Sequence, residues 1–301
     1  MTENTQIFAM FPGQGSQKTG MGKDLYDSFD IAKKLFTTAS EILGLDLARL
    51  CFEGPQEELT QTEISQPAIL TVSTICYEIY KEKNGGVLDV IAGAGHSLGE
   101  YSALVAAGSI KFEDAVIQVH KRGKYMQKAV PAGVGKMLAV LGVEIEIIEE
   151  TISKIDDIVQ IANINAIGQV VISGNATAID KFKELMPNSK LIELPVSAPF
   201  HCSLMKPAAD QLAQDLDSLE IKDATFPIIA NVTASPIQKT NDIRQALKDQ
   251  VCGTVRWVET IQHAATKIKP NIFLEFGYGN VLTGLIKRID KSLNRETVNS
   301  F

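Results

Sequence analysis

The chain has 301 residues, of which 45% are hydrophobic and 22% charged, and its formal net charge at pH 7 is −7. This length predicts one large domain, or a large domain with a smaller one, and the composition is typical of a globular protein with an apolar core. The negative charge, and the lack of any Lys/Arg run of about five residues, argue against nucleic-acid binding. No stretch approaches about 18 uninterrupted apolar residues, so no membrane-spanning helix is expected.

The first residues and the cysteines favour a cytoplasmic protein. The segment from Met1 to Gln6 is polar and lacks the basic and apolar regions of a signal peptide. The four cysteines are far apart and form no CxxC pair, a spacing typical of neither a zinc site nor a disulfide framework. We therefore expect no metal, and buried free thiols at Cys51, Cys76, Cys202 and Cys252.

Apolar patterning predicts alternating strands and helices in the first part of the chain. Near-continuous apolar runs are typical of parallel strands that are covered on both faces, and apolar residues at helical spacing indicate amphipathic helices. The pattern predicts strands at 6–11 and 87–94, and helices at 22–43, 67–80, 98–107 and 112–128.

The order of elements changes between residues 130 and 197. It becomes βαββαβ, the split βαβ order of a ferredoxin-like unit. The predicted strands are 136–141, 158–163, 169–173 and 190–196, and the predicted helices are 144–154 and 176–186. We expect a small ferredoxin-like domain at 130–197, inserted into a larger domain.

The last third of the chain returns to strand–helix alternation. It predicts strands at 227–232 and 272–276, and helices at 205–217, 241–249, 258–267 and from 281 onward. Such alternation implies a mostly parallel sheet with helices on both faces. The predicted fold class is therefore α/β, with a large hydrolase-like domain formed by 1–129 and 198–301.

The segment Gly95-His96-Ser97-Leu98-Gly99 is the central chemical motif. It lies after an apolar strand and before a helix, as in a nucleophile elbow, where the serine occupies a strained turn and the glycines relieve crowding. The backbone N–H of Leu98 can then stabilise a developing oxyanion at the helix N-terminus. We predict Ser97 as a nucleophile, and the alternative is a helix start with Ser97 as the N-cap.

A serine nucleophile needs a base, and four histidines are available. His120 and His263 fall in predicted helices, where a packed or solvated histidine is more common. His96 adjoins the nucleophile on the tight turn, so its ring is expected to point elsewhere. His201 follows a predicted strand and a short loop, a position where catalytic side chains tend to lie. We favour His201, and the residues alone do not identify a carboxylate to orient it.

Arg122 lies at the margin of the apolar side of the helix at 112–128. A guanidinium near a buried face needs a partner, and a substrate carboxylate that matches its planar fork is one candidate. From the residues alone, a snorkelling arginine or an internal salt bridge is the more common explanation.

The loop at 12–17 directly follows the first predicted strand. Its glycines let the backbone approach a ligand, and Gln14 could donate from its side chain or its backbone. A phosphate-binding loop is not favoured, because Met21 stands where the lysine is required. A dinucleotide-binding loop before Gly99 is not favoured either, because the third glycine is one place late.

Taken together, these segments resemble the malonyl-CoA:acyl carrier protein transacylases of fatty-acid synthesis and the related acyltransferase domains of polyketide synthases. The matching segments follow the family order and spacing over nearly the whole chain: FPGQGSQ (11–17), TQ...SQPAI (60–69), GHSLGEYSALVAAG (95–108), ANINAIGQVVISG (162–174), SAPFHCSLM (197–205), VRW (255–257) and EFGYGNVLTGL (275–285).

The resemblance implies a role for each candidate residue. Ser97 would carry the acyl group, with His201 as its base. Gln14 and the Leu98 backbone N–H would form the oxyanion hole. Arg122 would pair bidentately with the free carboxylate of malonate.

Two further roles come from the resemblance alone. A backbone carbonyl orients the histidine in this family, and the matching position is Gln250. Phe200, next to the histidine, would favour malonyl groups because its bulk crowds a branched α-carbon.

The implied reaction is malonyl transfer from malonyl-CoA to the phosphopantetheine thiol of acyl carrier protein, through a covalent acyl-serine. Coenzyme A thioester and carrier protein are substrates, so no cofactor is implied, and we expect a monomer. One alternative is a discrete acyltransferase of a polyketide assembly line, whose pocket would look the same. Another is a serine thioesterase or esterase, which would need no carboxylate clamp. A carrier-docking module with an inactive site is disfavoured, since Ser97, His201 and Arg122 are all present.

Overall fold

The structure is a computed structural model that describes residues 5–131, 133–196 and 198–301. The polar segment from Met1 to Asn4, and Ser197 of the predicted loop before the histidine, lie outside these ranges. The strands within them are β1 Ile7–Phe11, β2 Val90–Gly95, β3 Gly135–Leu141, β4 Val159–Ala166, β5 Gln169–Asn175, β6 Lys190–Glu193, β7 Ile228–Ile229, β8 Pro236–Ile237, β9 Ile272–Phe276 and β10 Arg295–Val298.

Amphipathic segments form the helices between these strands. The α-helices are α1 Lys23–Ser28, α2 Asp30–Leu43, α3 Leu47–Glu53, α4 Gln56–Thr60, α5 Thr62–Lys83, α6 Gly99–Ala106, α7 Phe112–Lys128, α8 Ile145–Ile152, α9 Ala176–Leu185, α10 Lys206–Ser218, α11 Thr240–Gln250, α12 Trp257–His263 and α13 Val281–Ile289. A 3-10 turn at Ser203–Met205 precedes α10, and a π-helical turn at Ala264–Ile268 follows α12.

A six-stranded sheet in the order β10-β9-β1-β2-β7-β8 carries the larger part of the molecule. Its neighbouring strands pair in parallel, except that β7 and β8 are antiparallel. Successive residues of β1 point to opposite faces: Ala9 and Phe11 pack in one apolar cluster, and Phe8 and Met10 in a second one. Both faces are therefore covered, as the apolar run at 6–11 predicted.

A second, four-stranded sheet has the order β4-β5-β3-β6, and its neighbouring strands are antiparallel. Helices α8 and α9 supply Ile148 and Phe182 to its apolar cluster, which includes Leu138 and Ile172 of the strands. The element order βαββαβ is that of a ferredoxin-like unit. The predicted fold class is confirmed, whereas the domain limits at 130 and 197 stay a prediction.

Strand β4 connects the four-stranded sheet to the segment that precedes α12. Ala162 accepts a hydrogen bond from the backbone N–H of Val255 at 2.8 Å, and Ile164 donates one to the carbonyl of Val255 at 2.9 Å. This pairing is an isolated parallel bridge between residues 163 and 255. It joins β4, an edge strand of the small sheet, to the chain just before α12.

Several predicted elements differ in extent from the observed ones. The run at 22–43 predicted one helix, but the chain is extended at Phe29 (φ −130°, ψ 129°), which divides it into α1 and α2. The strand predicted at 227–232 is reduced to β7, because the chain turns at 231–233. The short strands β8 and β10 were not predicted, since β8 has only two residues and only one of the four residues of β10 is apolar.

Helix α5 begins five residues before its predicted start at Pro67. Proline has no backbone N–H, so the carbonyl of Glu63, four residues earlier, loses its helical donor. Nδ1 of His120 lies 2.8 Å from that carbonyl and replaces the missing donor. Of the packed and solvated roles that the sequence left open for His120, this contact therefore supports the packed one.

The cysteines are free thiols, of which Cys51, Cys76 and Cys202 are buried, as expected. The prediction was wrong for Cys252, which is only partly buried. Within the described ranges, no helix is long and apolar enough to cross a membrane.

Candidate active site

Ser97 lies on the turn between β2 and α6. Its φ of 51° falls in the left-handed region, which residues other than glycine rarely adopt. The turn leaves no room for a side chain at either of its two glycines, Gly95 and Gly99. A Cβ atom at Gly95 would overlap the backbone of Gly99, and one at Gly99 would overlap the carbonyl oxygen of Phe11. Both glycines are therefore required by close packing of backbone on backbone.

Asn231, which the sequence did not single out, braces this turn from the chain just after β7. Its Oδ1 accepts a hydrogen bond from the Ser97 N–H at 2.7 Å, and its Nδ2 donates to the Gly95 carbonyl at 2.7 Å. The residue is only 1% exposed, and both polar atoms of its side chain bond to the elbow. The available signal was a polar amide inside an apolar predicted strand, since a buried amide needs partners.

His201 lies beside the serine. Its Nε2 is 2.7 Å from Ser97 Oγ, and its Nδ1 is 3.0 Å from the carbonyl of Gln250 and 3.1 Å from that of Gly253. Carbonyl oxygens only accept hydrogen bonds, so Nδ1 carries the proton and Nε2 is left to accept the serine hydroxyl. The histidine itself is held in the left-handed region, with a φ of 59°.

Burial lowers the pKa of His201 to about 3, and the positive charge of Arg122 acts in the same direction. The hydrogen bond to the Gln250 carbonyl opposes this shift. The imidazole is therefore neutral near pH 7, which is the state that a general base requires.

Arg122 reaches the same hydroxyl from α7 and is 1% exposed. Its Nη2 donates to Ser97 Oγ at 3.1 Å and to Gln250 Oε1 at 2.8 Å, and its Nη1 donates to Gln66 Oε1 at 2.9 Å. Its Nε has no hydrogen-bond partner in the described part of the chain. Arg122 thus does not snorkel, and it forms no direct salt bridge with any residue that the structure describes. It is a buried cation with neutral partners, at hydrogen-bond distance from the predicted nucleophile.

Gln250 connects the arginine with the histidine and is fully buried. While its carbonyl faces His201, its side-chain Oε1 accepts from Arg122. Its Nε2 donates to the Ser97 carbonyl at 2.9 Å and to Glu100 Oε2 at 3.1 Å. One residue therefore contacts the base, the cation and the elbow at the same time.

Glu100 and Gln66 were not predicted as site residues, although both lie in segments that carry the family resemblance. Each is completely buried, on α6 and α5 respectively. Burial of such polar side chains is rare unless they are paired, but their partners are far away in the sequence. Helical periodicity could not reveal them, because both helices are buried on most sides.

The predicted oxyanion donors face the same region. In the described ranges, the Leu98 backbone N–H has no hydrogen-bond acceptor, although Leu98 is fully buried. The side-chain Nε2 of Gln14 donates to Ser65 Oγ at 3.3 Å, a long and therefore weak hydrogen bond. The Leu98 N–H therefore has no competing acceptor, and Gln14 Nε2 has a second N–H beyond its weak bond, so both groups can donate to an oxygen that develops negative charge next to Ser97.

A cavity of about 530 Å³ opens beside Ser97 and His201. Gln14 lines it from the loop after β1, and Phe200 from the loop before the histidine. Part of the lining comes from the small sheet, including Met137 of β3. This volume is in the range of small-molecule binding sites.

The ring of His96 points away from the serine, as predicted for that position. Its Nε2 is 2.7 Å from Asn165 Oδ1 on β4, and the ring packs against Trp257 with centroids 5.7 Å apart. Burial lowers the pKa of His96. The side chain therefore connects the elbow with the small sheet and leaves His201 as the imidazole beside Ser97.

Comparison with known proteins gives matches along nearly the whole chain. The acyl transferase domain family matches residues 8–298. The malonyl CoA-acyl carrier protein transacylase of Bacillus subtilis (strain 168) is 46% identical over 295 residues, which cover 96% of this chain and 92% of the relative.

Solved structures agree with these matches. That of a malonyl CoA-acyl carrier protein transacylase from Coxiella burnetii has a TM-score of 0.94 and 43% identity, and covers 99% of this chain and 95% of its own. A malonyl-transacylase in complex with a type II PKS acyl-carrier protein has a TM-score of 0.94 and 42% identity, with coverages of 99% and 97%. The chain therefore belongs to the malonyl-CoA–acyl carrier protein transacylase family of acyl transferases.

Proposed function

We propose that the protein transfers a malonyl group from malonyl-CoA to the phosphopantetheine thiol of an acyl carrier protein, through an ester on Ser97. The observation that carries this proposal is the double approach to the Ser97 hydroxyl. His201 Nε2 lies 2.7 Å from it, and the guanidinium of Arg122 lies 3.1 Å from it. A base makes the hydroxyl a nucleophile. A buried guanidinium at that distance is suited to the free carboxylate of a dicarboxylic acyl group.

The first half-reaction forms the ester. Ser97 Oγ attacks the thioester carbonyl while its proton moves to His201 Nε2. The Leu98 N–H and Gln14 Nε2 donate to the oxyanion of the tetrahedral intermediate. The C–S bond then breaks, the coenzyme A sulfur takes the proton from His201, and malonyl-serine remains.

The second half-reaction reverses these steps with a different thiol. The phosphopantetheine thiol gives its proton to His201 and attacks the ester carbonyl, and Ser97 leaves and recovers a proton. The Gln250 carbonyl holds the imidazolium that forms in both halves, since Nδ1–H donates to it throughout. Phe200 lines the cavity next to the histidine, and its bulk would crowd a substituent on the acyl α-carbon.

The carrier protein is proposed to be that of fatty-acid synthesis. A discrete acyltransferase of a polyketide pathway is the second candidate, because one of the similar structures is a complex with a type II PKS acyl-carrier protein. The ratio of kcat/KM values for the two kinds of carrier protein, measured with the same malonyl-CoA, distinguishes them.

Intact-mass measurement after mixing with malonyl-CoA tests the central proposal. We expect a single malonyl adduct that Ser97→Ala abolishes, because no other nucleophile lies beside His201 in the described site. The adduct should persist in water and disappear when carrier protein is added. Rapid loss of the adduct without carrier protein would instead indicate a thioesterase.

Acetyl-CoA provides the matched control for the carboxylate site. In Arg122→Ala, malonyl loading should fall by about 100-fold or more, the loss expected for a buried charge-assisted pair. Acetyl loading should survive or rise, because the acetyl group has no carboxylate. Equal loss with both substrates would assign Arg122 a purely structural role.

A further inference from the structure

Glu100 is a completely buried carboxylate that is not among the described residues lining the cavity. Its Oε2 accepts hydrogen bonds from the Asn231 backbone N–H at 3.0 Å and from Gln250 Nε2 at 3.1 Å. Its Oε1 has no hydrogen-bond partner among the residues that the structure describes. None of the reaction steps above uses this group.

The Gln250 amide connects Glu100 to Arg122. Its Nε2 donates to the carboxylate, and its Oε1 accepts from the guanidinium at 2.8 Å. Carboxylate, amide and guanidinium therefore form a hydrogen-bonded chain in a region without solvent. Two charges that are connected by one buried amide interact strongly, because water is excluded from between them.

The charge of Glu100 also affects the pKa of Arg122. Burial lowers the pKa of Arg122, and the nearby Tyr101 and Glu100 oppose that shift. Arg122 would bind a substrate carboxylate with the guanidinium that now reaches Ser97 Oγ, and the Gln250 amide connects that guanidinium to Glu100. The bound carboxylate and Glu100 would then repel each other across the same guanidinium.

We propose that Glu100 is a specificity-determining counter-charge, which offsets the Arg122 cation through the Gln250 amide and limits how tightly the pocket holds an anionic acyl group. The inference rests on the proposed malonyl transfer. A transferase must release its acyl group to the carrier in the second half-reaction, so over-tight binding of the carboxylate would hinder turnover.

Because Glu100 can ionise, the proposal predicts that its effect on malonyl binding depends on pH. Burial raises the pKa of Glu100 to about 7, while the Asn231 N–H, Gln250 and Arg122 act in the opposite direction. Among the described residues, the titratable groups that interact with it are Arg122 on α7 and Tyr101 on its own helix. Burial raises the pKa of Tyr101 as well, so the phenol stays neutral at these pH values. Above about pH 7 the counter-charge is present, and below it the carboxyl becomes neutral.

The test is Glu100→Gln in the full chain, compared with wild type in single-turnover acylation by malonyl-CoA and by acetyl-CoA. The glutamine oxygen can accept both hydrogen bonds, so the variant removes the charge and keeps the shape. At about pH 8 the half-saturating malonyl-CoA concentration should fall about fivefold, and that for acetyl-CoA should not change. At about pH 6 the two proteins should coincide, because the wild-type carboxyl is then protonated.

Glu275→Gln is the matched control. Glu275 is also completely buried, and it accepts hydrogen bonds from the N–H groups of Leu282 and Thr283 at the start of α13. This variant should leave the malonyl-to-acetyl ratio unchanged, since its carboxylate has no connection to Arg122 in the described contacts.

Three outcomes would overturn the inference. Equal changes for both substrates would make Glu100 structural, and an unchanged malonyl value at about pH 8 would mean that its charge has no effect. Weaker malonyl binding would mean that Glu100 supports Arg122 instead of offsetting it. Failure of the proposed function looks different, because the wild-type protein would then form no malonyl adduct at all.

Discussion

The elbow around Ser97 and the loop that carries His201 bring their side chains together, but different contacts hold each of them in place. Both residues have left-handed backbones, with φ values of 51° and 59°. The elbow depends first on the glycines of its own motif. Gly95 lets the backbones of β2 and α6 touch, and Gly99 lets α6 approach β1, with Asn231 as an additional distant brace. The histidine is held by carbonyls that lie 49 and 52 residues further along the chain. A short motif can therefore encode a nucleophile, whereas the position of the base depends on tertiary structure.

Gly95→Ala should disrupt the elbow, and we expect the largest loss of stability and acyl loading from this variant. Its Cβ would overlap the backbone of Gly99, so the turn cannot form without moving β2 or α6. We expect a loss of about 3 kcal/mol in the free energy of unfolding, and no detectable malonyl adduct. Chemical denaturation and intact mass measure the two effects.

Gly284→Ala is the control for that substitution. A Cβ at this position in α13 meets nothing within 4 Å, so the variant should be as stable as wild type or more stable by about 1 kcal/mol. Near-normal loading in Gly95→Ala would show that the elbow does not depend on close backbone contact.

His201→Asn removes the base that the distant carbonyls hold. Its expected effect on stability is smaller than that of Gly95→Ala. Asparagine tolerates the left-handed region, and its amide can donate to the carbonyls that now hold the imidazole. We expect the unfolding free energy to stay within about 1 kcal/mol of wild type, while the acyl-loading rate falls by about 10²–10⁴-fold. A loading rate within tenfold of wild type would exclude His201 as the base.

The pH dependence of acetyl loading also tests how the histidine loop differs from the elbow. Its expected effect is the smallest of these predictions. Burial of the histidine loop lowers the pKa of His201 to about 3. Since a lowered pKa keeps the base neutral as the pH falls, the loading rate should be almost constant from about pH 7 to about pH 5. A histidine of ordinary pKa would lose about 30-fold over that range. Single-turnover acetylation avoids any contribution from the malonyl carboxylate.

Removal of Arg122 provides an internal check on that profile. The charge of Arg122 is the second cause of the low pKa of His201, after burial. The acid limb of Arg122→Ala should therefore move to higher pH than that of wild type. An unmoved acid limb would mean that burial alone sets the pKa.

Much of the fold was predictable because it rests on short-range periodicity. Helix α7 and strand β9 have the bounds that the apolar pattern predicted. The edge strand β10 was missed, since a short strand with few apolar residues carries no such pattern. The end of the strand at 227–232 was also missed, because Asn231 leaves the sheet to hold the elbow.

The sequence by itself determined the α/β alternation, the elbow at Ser97 and, through resemblance, the family and its expected site residues. These features depend on residues that are close together or on segments that keep their order. Only the tertiary structure decided the partners of Arg122, the two carbonyls behind His201 and the burial of Glu100. Those contacts join residues 25 to 150 positions apart, and the exclusion of water that makes them strong exists only once the chain has folded around them.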